Sequence, residues 1–137
     1  MDTNDELPRL ESLRFTIRTR QFEKARWFYE TALRLVPVEE WDEVPDRGLI
    51  LRIDANAFIE ISEIRSNSEG YRPEFAESMA SEKVDIQIRT SDTEAWAKRL
   101  GELGWPCRGP VERPWGARYL YLHDPDGVKI ILYDQVG

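Results

Sequence analysis

Arg14-Phe15-Thr16-Ile17-Arg18-Thr19 returns 71 residues later as Asp85-Ile86-Gln87-Ile88-Arg89-Thr90. Identities are few, but apolar and polar positions keep phase. The same shift lays Asp46 to Ile61 on Ala117 to Leu132 without a gap. It pairs Arg47 with Arg118, Leu49 with Leu120, Leu51 with Leu122 and Ile59 with Ile130. Alternation marks the first stretch as a strand with two unlike faces. Leu13, Phe15 and Ile17 lie on one, Arg14, Thr16 and Arg18 on the other.

Outward from that stretch, both halves read strand, helix, three strands. Residues 21–35 carry Phe22, Ala25, Phe28, Tyr29, Ala32 and Leu33 at helical spacing. Val36 to Trp41 is expected as a short strand, and the acidic run Glu39, Glu40, Asp42, Glu43 as a solvated loop. Gly48 to Ile53 and Ala57 to Ser62 form a hairpin around Asp54-Ala55-Asn56. In the second half Val84 to Thr90 is a strand. Ser91-Asp92-Thr93-Glu94 reads as a capping box, with Ser91 accepting from the Glu94 N–H. The helix turns Trp96, Leu100 and Leu103 inward and stops at Gly104. Asp124-Pro125-Asp126-Gly127 joins strands Tyr119 to His123 and Val128 to Tyr133. The expected organisation is one domain, residues 1–137, of two repeats, 12–63 and 83–134, joined by a polar linker 64–82.

The chain has 137 residues, of which 41% are apolar, enough for one core. Lys plus Arg number 19 against 26 Asp plus Glu, a net charge of −7. That balance speaks against nucleic acid and against an anionic membrane as partners. No apolar run approaches the ~20 residues that span a bilayer. Met1 to Leu10 is acidic and polar, unlike a signal peptide. A single cysteine, Cys107, permits no internal disulfide and suits a reducing, cytoplasmic compartment. One cysteine and one histidine exclude a Cys/His zinc cluster or a multi-histidine metal site within one chain. Cys107 has Arg108 as its only basic sequence neighbour and reads as an inert thiol. His123 reads as a solvated or structural rim residue.

Paired βαβββ modules, Trp27-Phe28-Tyr29 on a helix, Pro114-Trp115-Gly116 before a strand, and Asp124-Pro125-Asp126-Gly127 before the last strand resemble the vicinal oxygen chelate superfamily. That superfamily includes glyoxalase I, extradiol dioxygenases, fosfomycin-resistance enzymes and bleomycin-resistance binding proteins. The likeness covers residues 12–134, and Glu112 to Arg118 is most similar to the bleomycin-resistance branch. It implies an α+β fold: two βαβββ modules forming a cupped mixed sheet with helices on the outer face. It also implies a divalent metal held by the first and last strand of each module. Those four positions here are Arg14, Glu60, Asp85 and Ile131. Ile131 has no donor atom, and Arg14 is a permanent cation. Glu60 and Asp85 alone suit Zn, Fe or Ni poorly and leave room only for a weakly held hard cation. No cofactor is expected.

Strand parity places Tyr119 and Tyr121 in phase with Ile131, facing into the cup, with Trp115 at its mouth. The expected ligand-contacting set is therefore Arg14, Glu60, Asp85, Trp115, Tyr119, Tyr121 and Ile131, aromatic walls with a few charges. No catalytic residue is assigned. Arg14 and Glu60 can instead pair and fill a collapsed cleft. Glu60 or Asp85 can serve as a general base if burial raises its pKa. The leading expectation is a metal-free small-molecule binder, acting as a homodimer, with cationic compounds as first candidates. The rivals are a lyase, isomerase or dioxygenase with an atypical or metal-free site, and a non-catalytic regulatory or interaction module.

Overall fold

The structure is a computed structural model describing residues 7–43, 46–63 and 84–135. The expected linker 64–82 lies outside the described residues. The first module runs β1 (Leu13–Thr19), α1 (Phe22–Arg26), a π-helical continuation (Trp27–Ala32), β2 (Val36–Glu43), β3 (Asp46–Asp54) and β4 (Ala57–Glu63). The second runs β5 (Ile86–Arg89), α2 (Thr93–Glu102), β6 (Cys107–Arg113), β7 (Ala117–His123) and β8 (Lys129–Gln135). Each module is a four-stranded mixed sheet, ordered β1-β4-β3-β2 and β5-β8-β7-β6. The first and last strand of each module pair in parallel; the other neighbours are antiparallel. This is an α+β fold of two βαβββ modules, not closed into a barrel.

The repeat extends to hydrogen-bond register. Phe15 faces Ile59 as Ile86 faces Ile130, and Leu49 faces Ile61 as Leu120 faces Leu132. It fails at the outer strand, so the match is not gapless in three dimensions. Pro37 faces Leu51, whereas Cys107 rather than Arg108 faces Leu122. The cause is chain length: residues 114–116 separate β6 from β7, while residues 44–45 separate β2 from β3. The longer connection sets β6 back by one residue.

Both helices begin from the same device. The Gln21 N–H donates to Thr19 Oγ1 (3.0 Å), and the Asp92 N–H to Thr90 Oγ1 (3.4 Å). Such local side-chain acceptors turn the chain out of a strand. The N-cap of α2 is Asp92, accepting from the Ala95 N–H at 3.1 Å, and not the expected Ser91. The helix starts later because β8 holds its first residue. Asp134 Oδ2 accepts from the Thr93 N–H (2.7 Å) and hydroxyl (2.9 Å). Asp134 also takes two bonds from the Arg118 guanidinium, at 2.9 and 3.0 Å. Burial alone would raise the Asp134 pKa; Arg118 and Thr93 outweigh it and hold the carboxyl below its usual range. The repeat supplies a looser counterpart in Arg47 and Glu63, at 4.0 Å.

The acidic run is not a loop. Strand β2 extends through it to Glu43, paired with β3 throughout, and Glu40 reaches Arg26 of α1. The first helix also departs from the expected α-helix. Its apolar stripe is all buried, but the Leu33 N–H reaches back five residues to Phe28 O (2.9 Å). A wider turn of this kind is a π-helical feature. Arg34, with φ 58°, then ends the segment.

The two modules share one core, with Ile17, Phe28, Leu49 and Ile59 from the first and Ile86, Leu100, Leu120 and Ile130 from the second. They dock through their helix-bearing faces. Trp105 packs against Phe28 and Trp27, with ring centroids 5.1 and 5.8 Å apart. The Arg99 guanidinium donates to the carbonyls of Thr31 (2.7 Å) and Ala32 (3.0 Å) near the end of the π-helical segment. Gln21 Nε2 reaches the Pro125 carbonyl at 2.8 Å. Deepest, the buried Tyr29 hydroxyl donates to Asp124 Oδ2 at 2.7 Å. Asp124 Oδ1 accepts from the N–H groups of Asp126 (2.9 Å) and Val128 (2.8 Å), closing the β7–β8 turn. Burial raises the Asp124 pKa despite these donors. Burial, then the Asp124 charge, pushes the Tyr29 pKa well up. Among the described residues, no helix is long and apolar enough to cross a membrane.

Tyr29→Phe removes one donor to a buried carboxylate and should cost about 2 kcal/mol in urea denaturation at neutral pH. The Asp124 pKa is higher folded than unfolded, so protonation favours the native state and that stability is lost as pH rises through the raised value. Removing Tyr29 raises it further. The penalty of Tyr29→Phe should therefore shrink toward acid, where Asp124 is protonated in both states.

Candidate functional site

Strand parity divides each sheet into a face packed on the core and an opposite, cup face. On the first sheet the cup face carries Arg14 from β1, Ile50 from β3 and Phe58 and Glu60 from β4. Arg14 Nε lies 3.5 Å from Glu60 Oε1, with side chains 51% and 17% exposed. Trp41 of β2 lies across from Gly48, and its ring covers that glycine. A Cβ at Gly48 would fall 2.2 Å from the ring, so this position must lack a side chain for Trp41 to lie flat.

On the second sheet, Ile131 of β8 is buried, flanked by Tyr121 on β7 and Gln87 on β5. Tyr119 faces Tyr133. Rings run continuously across the face: Trp115 to Tyr119 at 5.7 Å, Tyr119 to Tyr121 at 5.9 Å, and Tyr119 to Tyr133 at 6.1 Å. Trp115 Nε1 donates to the Tyr119 hydroxyl (3.3 Å), which donates to Gln87 Oε1 (3.4 Å). The Arg108 guanidinium lies 4.5 Å above the Tyr121 ring, and Arg113 lies 5.2 Å above Trp115. Asp85 sits 3.7 Å from Lys129.

Both arginines flank a bulge in β6, where the register shifts between Arg108 and Val111. Gly109 adopts φ +113° there, before the cis Pro110. A Cβ at Gly109 would stand 2.6 Å from the Tyr119 carbonyl oxygen. Bulges bend a strand and re-aim its side chains. This one returns Arg108 to the face that Arg113 already occupies, so that both lie over the aromatic row.

The seven residues read from sequence thus fall into two groups. Arg14 and Glu60 meet on the first sheet. Trp115, Tyr119, Tyr121 and Ile131 are contiguous on the second, with Asp85 beside Lys129. Among the described residues no hydrogen bond, ion pair or ring contact joins the two cup faces. The contacts between modules lie on the helix side. Parity also places Tyr133 and Gln87 on the cup face, two residues beyond Ile131 and Asp85, a signal present in sequence. Arg113 shares the face of Tyr119 by parity across the β6–β7 turn, whereas Arg108 depends on the bulge, at which only the Gly109-Pro110 pair hinted. A cavity of about 250 Å³ at the module junction, lined by Leu35, Ile53, Ile88, Trp96 and Leu132, includes none of the seven. His123 is exposed on the rim, and its carbonyl accepts from Trp105 Nε1 (2.9 Å). Burial pushes the half-buried Cys107 thiol up, away from a reactive thiolate.

A family metal does not fit these residues. The Glu60 carboxylate is paired with a guanidinium, Asp85 with an ammonium, and the fourth position is a buried isoleucine. No group of three or more His, Cys, Asp or Glu side chains converges among the described residues.

Residues 12–132 match the family model of the Glyoxalase/Bleomycin resistance protein/Dioxygenase superfamily. The chain belongs to that superfamily. Comparison with curated protein sequences gives no match. Among solved structures it is similar to a glyoxalase/bleomycin resistance protein from Streptomyces sp. CB03234, at 26% identity over 90% of this chain and 99% of that one, TM-score 0.67. TnmS3, an antibiotic binding protein from the same organism, shares the fold at 24% identity over 94% and 98%, TM-score 0.73. FosX, a fosfomycin resistance protein from Listeria monocytogenes, shares it at 15% identity over 90% and 92%, TM-score 0.68.

Gly109→Ala tests the bulge. The left-handed φ and the carbonyl contact together should cost about 2–3 kcal/mol. Thermal unfolding measures the loss, and the Tyr and Trp near-ultraviolet circular dichroism should change with it.

Proposed function

We propose that this chain binds a small organic molecule on its cup faces without the superfamily's metal. The observation that carries the reading is the chemistry at the four metal positions: an Arg14–Glu60 ion pair, an Asp85 neutralised by Lys129, and the apolar Ile131. An aromatic row with few polar groups is the lining expected of a ligand pocket. The antibiotic-binding description of TnmS3, whose fold this chain shares, agrees with sequestration of a compound. The two cup faces share no hydrogen bond, ion pair or ring contact among the described residues. A second copy of the chain, placing the first sheet of one subunit before the second sheet of its partner, would enclose the site.

Elemental analysis of tag-free protein produced with Mn, Fe, Ni and Zn should give close to zero metal per chain. A stoichiometric metal would overturn the reading and call for enzyme assays. Light scattering should give a dimer mass. Arg14→Ala should change stability by less than about 1 kcal/mol, as expected for a half-exposed pair, while altering ligand affinity. The combination Arg14→His, Asp85→His and Ile131→Glu should raise affinity for a divalent metal. No gain would mean these positions do not converge.

A further inference from the structure

The net charge of −7 is not spread over the second cup face. Its acid Asp85 is neutralised by Lys129, and Glu112 of β6 points to the opposite face with Arg118. Arg108 and Arg113 have no ion-pair partner among the described residues. Arg113 Nε is buried and has no acceptor. A desolvated N–H of a permanent cation is a costly group to leave unmet. Both guanidiniums lie over aromatic rings, Tyr121 and Trp115, and those rings adjoin Tyr119. The terminal Nη donors of both guanidiniums have no acceptor among the described residues and can meet an oxyanion.

Resting on the small-molecule reading above, we propose that the second cup face selects a planar aromatic anion, such as an aryl carboxylate or phenolate. The ring system packs against the mutually tilted rings of Trp115, Tyr119 and Tyr121, and the oxyanion accepts from Arg108 or Arg113. This reverses the expectation, drawn from the likeness to bleomycin-resistance proteins together with the acidic net charge, that cationic compounds come first. The overall charge is carried by other surfaces, and the two arginines would repel a cation.

The test is a matched set on one scaffold: 2-naphthoate, 2-naphthamide and 2-naphthylmethylammonium, titrated into the full chain by NMR at physiological ionic strength. Naphthoate should bind about tenfold tighter than the amide, the effect of one charge-assisted hydrogen bond. Arg108→Gln or Arg113→Gln should erase most of that preference and leave amide affinity within about twofold, since the rings remain. Arg108→Lys keeps the charge and should retain part of the preference; Lys98→Gln, on the exposed side of α2, should change nothing. Thermal unfolding of each variant confirms folding. Equal or tighter binding of the amide or ammonium overturns the charge assignment while leaving the small-molecule reading intact. A naphthoate preference that survives both Gln variants overturns the role of the arginines. Failure of all three compounds to bind overturns both this proposal and the reading beneath it.

Discussion

Everything about the arrangement of the two modules turns on one buried carboxylate. Asp124 must spend its lone pairs inside the protein. It does so on the backbone of its own turn and on Tyr29 of the other module. A carboxylate in this position is costly to desolvate, and its raised pKa records that cost. The phenol that satisfies it stands on the widened π-helical turn, where Phe28 and Tyr29 are both fully buried. Two neighbouring aromatic side chains can hardly both point inward on a narrow stripe. The extra residue per turn broadens the stripe enough to serve both, Phe28 packing on Trp105 and Tyr29 reaching Asp124. With the helix-bearing faces locked together in this way, both cup faces are turned outward.

The two cup faces have diverged more than the core faces behind them. Behind the sheets, the repeat preserves the register of the three inner strands, the threonine turn and an arginine–acid pair. In front, one sheet carries an ion pair and a tryptophan lying over glycine, the other a row of tyrosines beneath arginines. Packing constrains the buried side in both copies alike, whereas the open side is held by few contacts and can change its chemistry. This is the pattern of a scaffold on which sites can be replaced while the fold is kept.

Much of this was legible in the sequence, and the reasons are physical. Alternation in Leu13 to Thr19 and in Tyr119 to His123 reports a two-faced sheet, so strand parity correctly set Tyr119, Tyr121 and Ile131 side by side. The Asp-Pro-Asp-Gly turn was visible as a turn, but not as the anchor for Tyr29, because that contact joins residues 95 apart. The capping box misled because Ser91 and Glu94 satisfy a local pattern while Asp134, from the last strand, takes the Thr93 donors. The acidic run looked like a loop because charge predicts exposure, and Glu39 to Glu43 are largely exposed yet paired with β3. Arg108 over the aromatic row was hidden by the bulge, which shifts the phase that parity reasoning relies on.

The division of contacts is also a division of chain entropy. Strands pair with neighbours inside modules of roughly fifty residues, closing modest loops. The docking bonds close far longer ones: Arg99 to Thr31 spans 68 residues, Tyr29 to Asp124 spans 95 and Gln21 to Pro125 spans 104. Contacts across longer loops cost more chain entropy. Chain entropy therefore favours pairing within each sheet over the clasp between them. The same contacts that span the most chain also cover the apolar backs of both sheets, so a change that loosens the clasp would expose surface able to pair with other copies.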